Sequence, residues 1–339
     1  MNLSIINKCN TSCPYCFQGS YKSEALQMMS VALVQRILDW NNCHNYIKIV
    51  GGEPTLHPDL LKIISEITGR GWHADLRSNL LMDNTLLREL LATSHLCFLF
   101  NIAHNYGEHR RKQAILEENV ETLLSREKRG QERNSVIAVG ITITAYVNKY
   151  LKGLYDILRA DRHEVIDYVR LGIETVSWDP AVPYSLNHNM GEIILEITRT
   201  IRRIRPRVQI NFDCAVNLCL IDPVSIQQLR KLGVQPIFLE CSHANPQSPF
   251  VIMPDLSVSW CEAFMYHPEL TIPNIFAYAS CTQAHNALIK MMYDFSKKES
   301  QNCNSKTCKL TECRGPCPGL NHYLKSHPLP LYGAQAHSN

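Results

Sequence analysis

The chain has 339 residues, 45% of them hydrophobic and 19% charged, with a formal net charge of +3. A chain of this length buries roughly three-quarters of the surface its unfolded form exposes, and its composition excludes both a mainly disordered chain and a surface given over to nucleic acid. No apolar run reaches the ~18 residues of a membrane span, and MNLSIINKCN lacks the order of a signal peptide, so a cytoplasmic location and no membrane partner are expected.

Short apolar runs at Leu3–Ile6, Tyr46–Val50, Trp72–Leu76, Leu96–Phe100, Val136–Ile143 and Tyr168–Ile173 read as strands. Helical stripes lie between them. Ser30 is placed to cap a helix carrying Val31, Val34, Ile37 and Leu38. Pro58 stands where a first helical residue belongs, with Leu60, Leu61, Ile64 and Ile67 behind it and Gly69 at the end. Leu86–Leu91, Ile115–Leu124 and the stripe Leu151, Leu154, Ile157, Leu158 continue the pattern. Met190–Ile204 is a longer helix stopped by Pro206, and its basic end Arg199–Arg207 reads as a solvated helix face and terminus. A strand near Val208–Phe212 follows, then a helix opened by Asp222-Pro223 and closed by Gly233.

This alternation predicts a parallel sheet with crossover helices, a barrel or partial barrel, and the pattern alone fits an open doubly wound sheet as well. After about Cys241 prolines, asparagines and cysteines rise, and periodic segments shorten. The expected divisions are a barrel over 1–205, a connecting strand–helix–strand unit over 206–240, a small metal-stapled module over 241–318 and a loose tail over 319–339.

Fourteen cysteines in a chain without an export signal point to metal rather than to a disulfide framework. Cys9, Cys13 and Cys16 crowd into eight residues after the first strand. Three thiolates leave a metal position open, whereas structural sites close with four ligands. A zinc site completed by His44 or Cys43 is the alternative. After the second strand comes Gly51-Gly52-Glu53-Pro54, where two glycines let backbone approach a ligand closely. That end of the strands is where parallel α/β proteins bind ligands.

The C-x3-C-x2-C spacing, with Tyr15 before its third cysteine, and the GGEP turn together resemble the radical S-adenosylmethionine (SAM) enzymes. The resemblance implies a partial (β/α)6 barrel. It implies that Cys9, Cys13 and Cys16 hold a four-iron, four-sulfur cluster whose open iron is chelated by SAM, and that the Gly51–Pro54 turn binds the SAM amino group. Arg77-Ser78-Asn79 stands where the family often has T-N-G, with Leu80 replacing the glycine. Asn79 and Arg170, on the sixth strand, become expected SAM contacts, and Asn148 follows the fifth strand in the family's manner.

A second constellation runs Cys303-x4-Cys308-x4-Cys313-x3-Cys317, with Cys241 and Cys261 upstream. Closely spaced cysteines also suit a zinc ribbon. The resemblance is to the SPASM and twitch modules of radical SAM enzymes and implies at least one auxiliary iron–sulfur cluster. The family's glycine between the first two of these cysteines is here Leu256. Cys219, Cys281 or His322 are further candidate ligands, and Cys43, Cys97 and Cys214 read as buried thiols.

The family chemistry is reductive cleavage of SAM to methionine and a 5′-deoxyadenosyl radical, which abstracts a hydrogen atom from substrate. The expected enzyme is an oxidoreductase that modifies a ribosomally made peptide, served by a reductant such as flavodoxin or ferredoxin. The chain starts at its first strand, so a fused recognition domain is not expected, and a peptide requires a separate recognition protein or direct docking. A dehydrogenase of a small alcohol or sugar is the second reading. An epimerase would use a thiol hydrogen donor, for which Cys97 and Cys214 are the candidates. Outside enzymes, an iron–sulfur electron carrier has no use for the GGEP turn. A nucleic-acid module lacks basic residues beyond Lys306, Lys309 and Arg314 among its cysteines.

Overall fold

In the computed structural model the described residues are 1–13, 15–16, 25–102, 110–126, 135–144, 147–173, 190–212, 221–234, 250–265 and 267–300. Cys214, Cys219, Cys241, Cys303, Cys308, Cys313, Cys317, His322 and the tail lie outside them, so of the expected auxiliary ligands only Cys261 and the further candidate Cys281 are described, and Cys281 is joined in a disulfide to Cys43, which was expected to be a buried thiol.

The elements follow in chain order as β1 (Asn2–Ser4), α1 (Val31–Trp40), β2 (Tyr46–Val50), α2 (Leu60–Thr68), β3 (His73–Ser78), α3 (Asn84–Ala92), β4 (Leu96–Asn101), α4 (Arg110–Leu124), β5 (Val136–Ile143), α5 (Val147–Ala160), β6 (Tyr168–Ile173), α6 (Met190–Ile204), β7 (Gln209–Phe212), α7 (Pro223–Lys231), β8 (Val251–Ile252), β9 (Val258–Ser259), β10 (Thr271–Ile272) and α8 (Cys281–Ser300). Strands β1 to β7 pair in sequence order, every pair parallel. The alternation predicted the parallel α/β sheet, and the resemblance implied its partial-barrel form. The sheet also continues on both sides of the six expected strands. On one side β7 pairs with β6, which brings the segment after residue 205 into the barrel sheet. On the other, β8 pairs parallel with β1, and β9 and β10 follow antiparallel.

The elements form for local reasons. The strands are near-continuous apolar runs because helices and the opposite wall cover both faces; Leu96 to Phe100 of β4 are all buried. Ser30 caps α1 by accepting the Leu33 N–H at 3.1 Å, and Asp222 caps α7 through the Ser225 N–H at 2.8 Å, with Pro223 at the first helical position. Helix α2 starts at Leu60, two residues after Pro58, because the His57 ring takes the Asp59 N–H at 3.1 Å and holds that segment in a turn. At the end of α6, Arg202 donates to the carbonyls of Leu232 and Pro206, and Arg205 pairs with buried Asp161 at 2.5 Å. Part of the basic stretch is thus fixed in place rather than solvated.

The largest departure from expectation is α8, a 20-residue helix where only short segments were foreseen. Its buried stripe is Cys281, Ala284, His285, Leu288, Met292 and Phe295. The spacing is helical, but cysteine and histidine open it, so the run does not read as apolar. Trp40 Nε1–H donates to the Tyr278 carbonyl at 2.9 Å, and Arg36 lies 3.9 Å over the Phe276 ring. These contacts dock the approach to α8 against α1. Among the described residues, no helix is long and apolar enough to cross a membrane.

Candidate active site

The loop after β1 carries Cys9, Cys13 and Cys16, none of them in a disulfide and all half-buried. Tyr15 lies in the turn before Cys16, whose N–H reaches the Cys13 carbonyl at 3.1 Å. Thr11 sits among the thiols: its Oγ1 is 3.2 Å from the Cys9 sulfur and 3.8 Å from that of Cys13, and its backbone N–H donates to the Cys9 sulfur at 3.5 Å. A donor beside a thiolate stabilises the charged form, and sulfur hydrogen bonds tune cluster potentials.

The GGEP turn leaves β2 directly behind this loop. Gly52 N–H donates to the Ile6 carbonyl and Glu53 N–H to the Lys8 carbonyl, both at 2.8 Å. A Cβ on Gly51 would stand 2.4 Å from the Ile6 oxygen, and one on Gly52 only 2.1 Å from the Lys8 oxygen. Gly51 also has φ +146°, a conformation side chains rarely adopt. The close neighbour that demands glycine is thus the backbone of the cysteine loop itself.

Glu53 is 1% exposed and its carboxylate is turned inward. Oε1 accepts from Thr55 N–H at 3.2 Å, Thr55 Oγ1–H at 2.7 Å and Ser78 Oγ–H at 2.8 Å; Oε2 accepts from Asn79 N–H at 2.8 Å. Burial pushes this carboxyl above its ordinary range despite those donors. Its placement makes it the tie between the β2 and β3 ends, with Pro54 starting the short helical turn behind it.

Asn79 extends the tie to the cysteine loop. Its Nδ2–H donates to Asn10 Oδ1 at 2.6 Å, and Asn10 in turn donates to the Leu81 carbonyl at 2.9 Å. Lys112 of α4 donates to the Asn10 carbonyl at 2.8 Å. Leu80 has φ +63°, the left-handed form that a glycine would hold without cost, and buried Asn119 pins it by donating to the carbonyls of Leu80 and Met82, both at 2.9 Å. Leu256, at the other expected glycine position, likewise has a positive φ of 71°.

On the barrel wall, Arg170 Nη1–H donates to Asn101 Oδ1 at 3.0 Å. Gly140 lies in register between them, and its absent side chain makes room: a Cβ there would stand 2.3 Å from Asn101 Oδ1. Asn148 lies exposed on the first turn of α5. Cys97 is at the start of β4, in register with Asp75, so it occupies the opposite end of the strands from the turn. Its thiol is 3.8 Å from the Tyr168 hydroxyl, and burial with the Asp75 charge pushes its pKa up to about 11. Cys261 is outside any disulfide and half-buried at the end of the β8–β9 hairpin.

Position separates His44 and Cys43 from the triplet as completing zinc ligands. Cys43 and His44 precede β2, whereas the cysteine triplet packs where β2 ends, seven residues and roughly 20 Å along the strand. Thr11, Asn10, Lys112, Asn101 and Asn119 had no sequence signal beyond polarity; only the fold gathers them.

Residues 3–124 match the family model described as the Radical SAM superfamily. The chain carries a radical SAM domain. Two curated relatives, the GTP 3′,8-cyclases of Actinobacillus pleuropneumoniae serotype 3 and serotype 7, are 36% and 35% identical over 74 residues. Each match spans 20% of this chain and 21% of the relative, so the chain covers about a fifth of these proteins' length. Streptococcus suis SuiB bound to S-adenosylmethionine has the same fold at TM-score 0.63 and 14% identity, over 96% of this chain and 73% of that one. SuiB bound to precursor peptide SuiA aligns at TM-score 0.59 and 13% identity, over 85% and 65%.

A radical SAM domain implies a four-iron, four-sulfur cluster and SAM. The residues suit both. The cysteine loop presents three cysteine sulfurs on one short segment, anchored by Asn79 and Lys112 through Asn10. Behind it the GGEP turn is fixed by buried Glu53 at the carboxyl end of the parallel strands.

Proposed function

We propose that this chain is a radical SAM enzyme acting on a peptide. The observation that carries the reading is the packing of the three-cysteine loop against the GGEP turn, through the Lys8 and Ile6 carbonyls. Bound there, a reduced cluster and SAM supply a carbon radical able to take a hydrogen atom from an unactivated C–H bond. Cys9, Cys13 and Cys16 are the protein ligands, and three thiolates for four irons leave one iron for SAM. Thr11 donates its backbone N–H to the Cys9 sulfur and sets its hydroxyl beside the Cys9 and Cys13 sulfurs. Glu53, Ser78 and Asn79 hold the turn and the loop in mutual register, so that ligand geometry is set before SAM arrives. Asn101 and Arg170 present a polar pair on the wall, where Arg170 is the expected SAM contact.

The peptide substrate is supported by the SuiB fold, one of whose structures holds a precursor peptide. An auxiliary cluster built on Cys261, Cys241, Cys303, Cys308, Cys313 and Cys317 would accept the electron left on the substrate, making the net reaction an oxidation or crosslink. A flavodoxin- or ferredoxin-like reductant completes the cycle. The second reading, dehydrogenation of a small alcohol or sugar, shares every residue of this site.

The test is deuterium transfer. Anaerobic holoprotein is incubated with SAM, a reductant and deuterated candidate substrates, including short peptides encoded beside the gene. Deuterium from a peptide appearing in 5′-deoxyadenosine supports the proposal. Transfer only from a sugar or alcohol moves the assignment to the second reading.

A further inference from the structure

Four side chains of metal-ligand type meet at the end of the sheet remote from the radical SAM loop. Cys43 and His44 lie in the loop between α1 and β2. Cys281 and His285 are four residues apart on α8, hence on one face. Cys43 and Cys281 are joined as a disulfide across 238 residues of chain. The ligand atoms of Cys43, His44 and His285 all lie within 4.8 Å of one another. Both imidazoles leave Nε2 buried with no hydrogen-bond partner among the described residues, and His285 is 3% exposed. Buried polar atoms are nearly always partnered, so two orphaned ring nitrogens beside one pair of sulfurs require an explanation.

The surroundings are built to hold this cluster. Asn41 Oδ1 accepts the N–H of Cys43 at 3.3 Å and of His44 at 3.0 Å, fixing the loop. Asn42 Oδ1 accepts from the Thr282 hydroxyl at 3.1 Å, fixing the start of α8 to that loop. Phe250 stands 5.4 Å from the His44 ring and 5.5 Å from the His285 ring, with Trp260 5.9 Å from His285. An aromatic shell that excludes water around imidazole and thiolate donors favours a soft or borderline cation.

We propose that, with Cys43 and Cys281 in the thiol form, these four side chains bind one zinc ion and clamp α8 to the α1–β2 loop. Zinc takes Cys2His2 tetrahedra with Zn–S about 2.3 Å and Zn–N about 2.0–2.1 Å, which sets ligand–ligand edges near 3.3–3.8 Å. The Cys43, His44 and His285 donors, already within 4.8 Å of one another, close to those edges, and the Cys43 and Cys281 sulfurs part from their bond. A dithiol reductant supplies the two electrons that open the disulfide and closes to its own disulfide. The two protons taken up by the sulfurs leave when zinc binds. The expectation that the protein works under reducing conditions rests on the radical SAM reading; the ligand geometry does not.

The experiment measures zinc and iron per chain in holoprotein purified with a dithiol, for the unaltered chain and for His44→Ala combined with His285→Ala. A zinc-edge X-ray absorption spectrum of the unaltered protein is taken alongside. The proposal expects about one zinc per chain, a shell of two sulfurs and two nitrogens, and loss of that zinc with iron unchanged in the double variant. Zinc unchanged in the variant, an all-sulfur shell, iron lost in place of zinc, or a Cys43–Cys281 linkage persisting in peptide maps of the dithiol-treated protein would each overturn it. If the double variant does not fold, the spectrum of the unaltered protein decides alone. SAM cleavage is scored separately, so failure of the radical SAM reading leaves the zinc result standing on its own.

Discussion

Gly52→Ala isolates the contact between the GGEP turn and the cysteine loop. Gly52 does not have a positive φ, so alanine there adds no backbone strain, only a methyl group 2.1 Å from the Lys8 oxygen. Ordinary contact begins at 3.4 Å, so backbone must open by about 1.3 Å. The obstacle is a main-chain carbonyl held by the Glu53 N–H, not a flexible side-chain tip. Cys9 is the next residue and moves with it. Overpacking of this kind costs about 1–3 kcal/mol, and a misplacement of about 1 Å at reacting groups costs on the order of a hundredfold in rate. The assay is 5′-deoxyadenosine formed per reconstituted chain, with iron content and a urea melt alongside. Gly71→Ala is the control: φ is +73° and nothing lies within 4 Å, so it carries backbone strain alone and spares the loop. Cleavage falling on the order of a hundredfold in Gly52→Ala and staying near the unaltered value in Gly71→Ala is expected. Unaltered cleavage and iron in Gly52→Ala would refute the reasoning.

The two left-handed leucines respond oppositely to glycine. Leu256→Gly relieves about 1–2 kcal/mol of backbone cost at a half-buried position and leaves stability level or higher, while Leu80→Gly, at a fully buried one, removes a side chain worth about 1.5–3 kcal/mol and destabilises, both read by urea unfolding. Glu53 has its carboxyl raised by burial, so the unfolded chain ionises first. The stability tied to its neutral form is complete below the unfolded value of about 4.3 and is lost as pH rises through the folded value. Glu53→Gln removes that slope in melts taken across this window, and an unchanged slope would exclude the carboxyl as its source. Cys97, with its pKa at about 11, holds about a hundredfold less thiolate than an ordinary buried-free thiol at the same pH. It is expected to resist alkylation at pH 8 until the protein is unfolded, as peptide mapping would show.

Much of the barrel was readable because parallel strands and crossover helices write different periods. Tyr46–Val50, Val136–Ile143, Tyr168–Ile173 and Met190–Ile204 fall where those periods place them. The cysteine triplet and the GGEP turn were readable because their chemistry needs those residue types close in sequence. What stayed hidden depends on partners distant in the chain. The reason for Gly52 is the Lys8 carbonyl, and Glu53 points inward because Ser78 and Asn79 await it. Asn119 and Lys112 are ordinary helix-surface polar residues until α4 packs over the loop. Helix α8 escaped because its stripe opens with cysteine and histidine, the residues that also draw it to Cys43 and His44. The leucines at 80 and 256 had seemed mismatches with the family pattern, yet both keep the glycine conformation.

Whether Cys9, Cys13 and Cys16 support SAM cleavage can be measured directly. The measurement is 5′-deoxyadenosine released per chain by mass spectrometry, from anaerobically reconstituted, chemically reduced protein given SAM alone. The unaltered chain is expected to release it, and the chain with Cys9→Ala, Cys13→Ala and Cys16→Ala together to release none while remaining folded. Release by the triple variant, or none by an iron-loaded unaltered chain, would contradict the assignment of this loop.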